Sequence, residues 1–233
     1  MPILELVTSS SLGSLLGMRH ALEPDHLAAM STLVAAHGDE RSGYKAALLG
    51  VCWGLGHTVS LLAVGAALVV LRAEMPAFAS DLFELFVALM LVGLGLRAMY
   101  LAARQGPAGP SRVHHHGHRV HVHPGAPAHI HIGAWTLARR PLLIGAVHGL
   151  AGSGALTALV LATLPTTAAR LTYMMVFGLG STLGMAMLSG VLGWPLARLG
   201  AHRRVARAMS LAVGCVSTAL GLFWGYPLVG RIL

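Results

Sequence analysis

Of the 233 residues, 55% are hydrophobic and only 10% charged, against about a quarter charged in a soluble domain, so water is excluded as the main solvent of this fold. The formal net charge of +8 would suit a polyanion. The basic residues, however, sit mostly in short connections between apolar runs, a pattern of membrane topology that argues against nucleic acid as a partner. Cys52 and Cys215 lie inside apolar runs with no CxxC or Cys/His spacing and read as buried structural thiols.

About 20 apolar residues cross a bilayer. Runs of that length fall near 5–36, 46–71, 82–103, 141–164, 171–197 and 205–230, which predicts an all-α polytopic membrane protein with about six transmembrane helices. The first run lacks a basic n-region and a small-residue cleavage site, so the first helix is expected to stay in the mature chain. Twelve basic residues follow the first, third and fifth runs: Arg41 and Lys45; Arg97, Arg104, Arg112, Arg119, Arg139 and Arg140; Arg198, Arg203, Arg204 and Arg207. Arg72, Arg170 and Arg231 fall on the opposite side. Positive-inside reasoning then puts both termini outside an inner (plasma) membrane and the long central loop in the cytoplasm.

The first run contains Arg19-His20-Ala21-Leu22-Glu23-Pro24-Asp25-His26. A charge at mid-bilayer costs about 2.5–3.5 kcal/mol even on the lenient insertion scale, so these groups must face protein or a wet cavity and offset one another. Arg19 is the expected partner of Glu23 at i,i+4. In a regular helix His20 and Asp25 stand about 140° apart and His26 about 100° further on, which prevents convergence on one ion. Pro24 has no N–H for the His20 carbonyl and its ring clashes with it, so the helix is expected to kink or unwind there. That break would let His20, Asp25 and His26 swing inward and would free backbone carbonyls as extra ligands. Imidazole with carboxylate suits nickel, cobalt, zinc or copper. Magnesium and calcium would want oxygen throughout.

In the second run, Gly56-His57-Thr58 supplies His57 as a further ligand, and His148 in the fourth run offers one from the other half. Between the halves, the stretch from Gln105 to Trp135 breaks the apolar pattern with Gly, Pro, Arg and eight histidines: His114, His115, His116, His118, His121, His123, His129 and His131. It reads as a mobile linker and a secondary, weak metal-binding tract without fixed ligand spacing. The division is therefore 1–104, a first three-helix repeat; 105–135, a His-rich cytoplasmic loop; and 136–233, a second three-helix repeat. Leu16-Gly17-Met18-Arg19-His20 pairs with Ile144-Gly145-Ala146-Val147-His148 at an offset of 128, and Trp53-Gly54-Leu55-Gly56-His57-Thr58 with Phe177-Gly178-Leu179-Gly180-Ser181-Thr182 at 124. With an odd number of spans in each half, the duplication gives inverted repeats, the plan of many transporters, whose ion sites lie at broken helices.

Arg19-His20-Ala21 with Asp25-His26 resembles the His-x4-Asp-His signature of the nickel/cobalt transporter family, and Gly56-His57-Thr58 and Gly184-Met185 are similar to its later motifs. The resemblance implies metal handling by His20, Asp25, His26 and His57, while Arg19, Glu23 and Pro24 give structural support by the pairing and the helix break described above. The corresponding stretches of the second half, His148-Gly149-Leu150-Ala151-Gly152-Ser153 and Gly184-Met185-Ala186-Met187-Leu188-Ser189, lack the carboxylates of the longer members and are similar to the shorter, urease-accessory-type branch.

The expected function is a secondary permease moving Ni2+ or Co2+, in the direction of uptake, with efflux as the alternative. It is expected to be no enzyme, to hold no permanent cofactor, and to hand its ion to a cytoplasmic metallochaperone. No GxxxxGK[ST] motif is present, which argues against a self-contained ATP-driven pump. A different class, a haem-binding membrane electron carrier using pairs among His20, His57 and His148, stays open at this point, though haem ligation does not call for the carboxylate in the motif.

Overall fold

The computed structural model describes residues 3–36, 43–104, 112–116, 119–123, 129–132, 135–199 and 203–232. Among them run seven helices: α1 Ile3–His20, α2 Pro24–Ala36, α3 Gly43–Leu71, α4 Ala77–Ala103, α5 Arg139–Thr163, α6 Thr167–Leu199 and α7 Arg203–Ile232. Helices α3, α4, α6 and α7 contain stretches long and apolar enough to cross a membrane. Large apolar side chains such as Val59, Leu89, Leu179, Val191 and Phe223 face outward, whereas His26, His57 and His148 are buried. This reverses the arrangement of a water-soluble protein, and the chain is a multi-pass membrane protein.

The first apolar run is two helices, not one. Its break falls where Pro24 requires it, and Pro24 begins α2, the position at which a missing N–H costs nothing. The expected release of backbone carbonyls is corrected in one respect. The His20 carbonyl accepts the Glu23 N–H at 3.0 Å and the Arg19 carbonyl that of Leu22 at 2.9 Å. A tight turn has replaced the helical bond that Pro24 cannot make.

Helix α3 packs against both α5 and α6, α1 packs on α6, α4 on α7, and α2 reaches α7 and α4. The crossings depend on glycine. A Cβ on Gly17 would strike the Phe177 carbonyl, and one on Gly180 the Ser14 carbonyl; in the other half, a Cβ on Gly145 would strike the Trp53 carbonyl, and one on Gly56 the Leu142 carbonyl. Lipid gives helices no hydrophobic drive to associate, so this backbone approach supplies the packing. Between α3 and α6, Thr58 Oγ1 donates to the Gly178 carbonyl at 2.8 Å and lies 2.9 Å from Thr182 Oγ1.

The His-rich stretch, expected to be a featureless linker, contains two antiparallel hairpins: β1 Arg112–His116 with β2 Arg119–His123, and β3 His129–Ile132 with β4 Trp135–Ala138. The alternation in Arg119-Val120-His121-Val122-His123 and His129-Ile130-His131-Ile132 is the period of a strand. Histidine content had masked that signal.

Candidate metal centre

The break between α1 and α2 brings together residues that one helix would have separated. His20 ends α1, Asp25 and His26 open α2, and His57 and His148 reach the same place from α3 and α5. His26 is the pivot. Its ring centroid lies 4.4 Å from that of His20, 5.4 Å from that of His57 and 4.1 Å from that of His148. Ligand atoms of His20, His26 and His57 lie within 4.8 Å of one another, and so do those of Asp25, His26 and His148. The two triads share His26.

The hydrogen bonds assign each ring an orientation. Asp25 Oδ1 is 3.0 Å from His26 Nδ1 and Oδ2 is 2.7 Å from His148 Nε2. Glu23 Oε1 is 3.0 Å from His20 Nδ1. Each of these rings thus rests one nitrogen on a carboxylate. The nitrogen left over has no hydrogen-bond partner and is buried: His20 Nε2, His26 Nε2 and His148 Nδ1, together with both nitrogens of His57. A buried polar atom without a partner costs about 1–3 kcal/mol. A divalent cation held by these imidazoles, with carboxylates behind the rings fixing tautomer and tilt, would satisfy them. Gly152 adjoins the gap: a Cβ there would lie 3.8 Å from His20 Nε2 and 3.9 Å from His57 Cε1.

The expected pairing of Glu23 with Arg19 is corrected. Arg19 is exposed, and Glu23 pairs with His20, because the helix ends at His20 and the i,i+4 relation no longer exists. Of the loop histidines, His118 lies outside the described residues, and the other seven fall on β1, β2 and β3, outside the helical cluster. Two aromatic residues were missed. Trp53 is fully buried, with its ring 5.4 Å from His26 and 5.6 Å from His148, and Phe177 lies 5.4 Å from His20. Both open the paired motifs 53–58 and 177–182, so the duplication itself could have drawn attention to them. The ring centroids of His20 and His57 lie 5.3 Å apart and those of His57 and His148 6.1 Å.

No solved structure matches this chain. A urease accessory protein, UreH, from Bacillus sp. (strain TB-90) is 32% identical over 225 residues, covering 96% of this chain and 93% of that protein. Residues 7–212 match the model of the NicO family, described as high-affinity nickel-transport protein. With the match spanning both halves and the break-helix cluster between them, the chain belongs to the NicO family and is a nickel-transport protein of the membrane, not an enzyme.

Proposed function

We propose that the chain is a secondary permease that takes up Ni2+, with Co2+ as an alternative cargo, and binds it between His20, His26 and His57. The observation that carries this reading is the set of buried, unpartnered imidazole nitrogens at a helix break. On it, Asp25, expected from the sequence as a ligand, acts as a positioning carboxylate behind the rings. Both its oxygens already hold rings, and one of those rings, His148, belongs to the other half of the chain. Release of the ion toward His148 passes through the shared ring, His26.

The same proposal gives the chain six spans, with α1 and α2 together forming the first and α5 the fourth, arranged as two inverted repeats. The glycine contacts support it. Adding 128 to residues of α1 and subtracting 124 from residues of α6 turns the Gly17–Phe177 contact into Gly145–Trp53 and the Ser14–Gly180 contact into Leu142–Gly56. By the same rule, His20 beside Phe177 becomes His148 beside Trp53. Thr58 and Thr182, bonded to each other, are also related by 124.

Uptake needs no further coupling. An inside-negative potential of 100 mV is worth about 4.6 kcal/mol to a doubly charged ion, more than a thousandfold accumulation. The basic connections orient the termini outside and the hairpins toward the cytoplasm, where a metallochaperone would receive the ion. No resident cofactor is required. The test is flux of labelled nickel and cobalt into proteoliposomes under an inside-negative potential. His20→Ala is expected to abolish flux, and deletion of 112–131 to alter only apparent affinity. Full flux in His20→Ala refutes the site, and flux only outward refutes uptake.

A further inference from the structure

Arg97 is a guanidinium that sits inside a spanning helix and not in a connection. It precedes Arg104, the C-cap of α4, by seven residues and so lies about 10 Å down the helix from that end. Its side chain is exposed, on a helix whose other exposed residues nearby include Leu89 and Leu96. A charge in such a place is tolerated where it reaches the headgroup layer or meets an anion. No carboxylate supplies one. The ion pairs of the described residues take Glu23, Asp25 and Asp81 to other partners, and Glu74, Asp81 and Glu84 lie toward the opposite end of α4. The charged group that Arg97 does face is Arg140 of α5, near enough to repel it.

The packing of the two helices builds this approach. Leu94 of α4 and Ile144 of α5 rest on the same buried cluster. Arg97 is about one turn beyond Leu94 toward the end of α4, and Arg140 about one turn before Ile144 at the start of α5. Tyr100 and Arg104 continue the Arg97 face at i+3 and i+7, with the Arg104 guanidinium 4.5 Å from the centre of the Tyr100 ring. Arg139 and Arg140 occupy the first turn of α5, where the helix dipole opposes a cation and favours an anion. One turn before Arg97, Gly93 leaves open space where a side chain would stand, and Leu143 is exposed on α5.

We propose that Arg97 and Arg140 clamp the phosphate of an anionic phospholipid, whose acyl chain lies along the open notch at Gly93 and the exposed Leu96 and Leu143. The guanidinium fork matches phosphate oxygens two at a time, and basic pockets between membrane helices take anionic headgroups in this way. Tyr100, exposed beside them, has the amphipathic ring of an interfacial residue. Because α4 closes the first half of the chain and α5 opens the second, the bound phosphate bridges the seam between the halves. Free phosphate offers the same oxygens without the chain. Only the choice of leaflet, the cytoplasmic one, rests on the orientation proposed above; the binding does not.

The test uses the full chain purified in detergent and titrated with phosphatidylglycerol or phosphatidylcholine in mixed micelles, which have no sides. Wild type is expected to prefer phosphatidylglycerol, and the Arg97→Gln, Arg140→Gln variant to bind it about 10- to 100-fold more weakly. A matched variant, Arg204→Gln with Arg207→Gln, removes the same charge from α7 and is expected to bind as wild type does. Arg97→Lys with Arg140→Lys keeps both charges and is expected to retain the preference, which separates loss of the clamp from loss of the fold. Equal weakening in the α4/α5 and α7 variants, no preference in wild type, or a loss in the Lys variant as large as in the Gln variant overturns the site. Displacement of phosphatidylglycerol by an equal concentration of inorganic phosphate would assign the clamp to the free ion and overturn the lipid.

Discussion

Substituting Asp25 by Asn keeps its size and removes its charge, and it separates a positioning role from a ligand role. Asp25 presents one oxygen to His26 Nδ1 at 3.0 Å and the other to His148 Nε2 at 2.7 Å. An amide has one oxygen and one NH2, so it can accept from one ring only and confronts the other with a donor. One imidazole must then change tautomer or turn, which in His26 would alter the ring nitrogen that is left without a partner. Loss of such an outer carboxylate typically weakens metal affinity 10- to 100-fold, or about 1.4–2.8 kcal/mol. The assay is nickel titration by calorimetry on protein lacking 112–131, so that loop histidines add no signal. Asp25→Asn is expected to bind with its Kd raised in that range, while His26→Ala, which deletes the ring common to both triads, loses binding altogether. An unchanged Kd in Asp25→Asn, or a loss as complete as that of His26→Ala, refutes the positioning role.

Other perturbations test the packing that holds the site. Gly56→Ala drives a Cβ into the Leu142 carbonyl and is expected to cost about 1–3 kcal/mol, whereas Gly93→Ala, with open space around it, should be neutral or up to about 1 kcal/mol stabilising; thermal denaturation in detergent separates them. Thr58→Val removes the bond to the Gly178 carbonyl and the contact with Thr182, and should lower stability by about 0.6–1.7 kcal/mol. Gly152→Val places methyls beside His20 and His57 and is expected to lower nickel affinity by up to about 100-fold, while Gly152→Ala, whose Cβ makes only ordinary contact, keeps it.

The centre was legible in the sequence because membrane burial makes polar residues conspicuous. His20, Asp25, His26, His57 and His148 each stood out against an apolar run, and Pro24 named the place where the helix had to break. Partner choice was harder to read. The pairing of Arg19 with Glu23 assumed an intact helix, and the same break that gathers the histidines abolishes it. Which group holds an imidazole from behind depends on distances of an ångström, and residue spacing does not resolve them. The aromatic neighbours Trp53 and Phe177 look like ordinary apolar residues in one dimension. In the loop, the strand period of Val and His was present but hidden behind a composition that suggested disorder.

The most direct test of the central claim is nickel K-edge X-ray absorption on the chain lacking 112–131, loaded with one equivalent of nickel. The account predicts multiple scattering from about three imidazoles and loss of that signal in the His20→Ala, His57→Ala double variant. A first shell of oxygen without imidazole scattering, or a spectrum unchanged in the double variant, would contradict it.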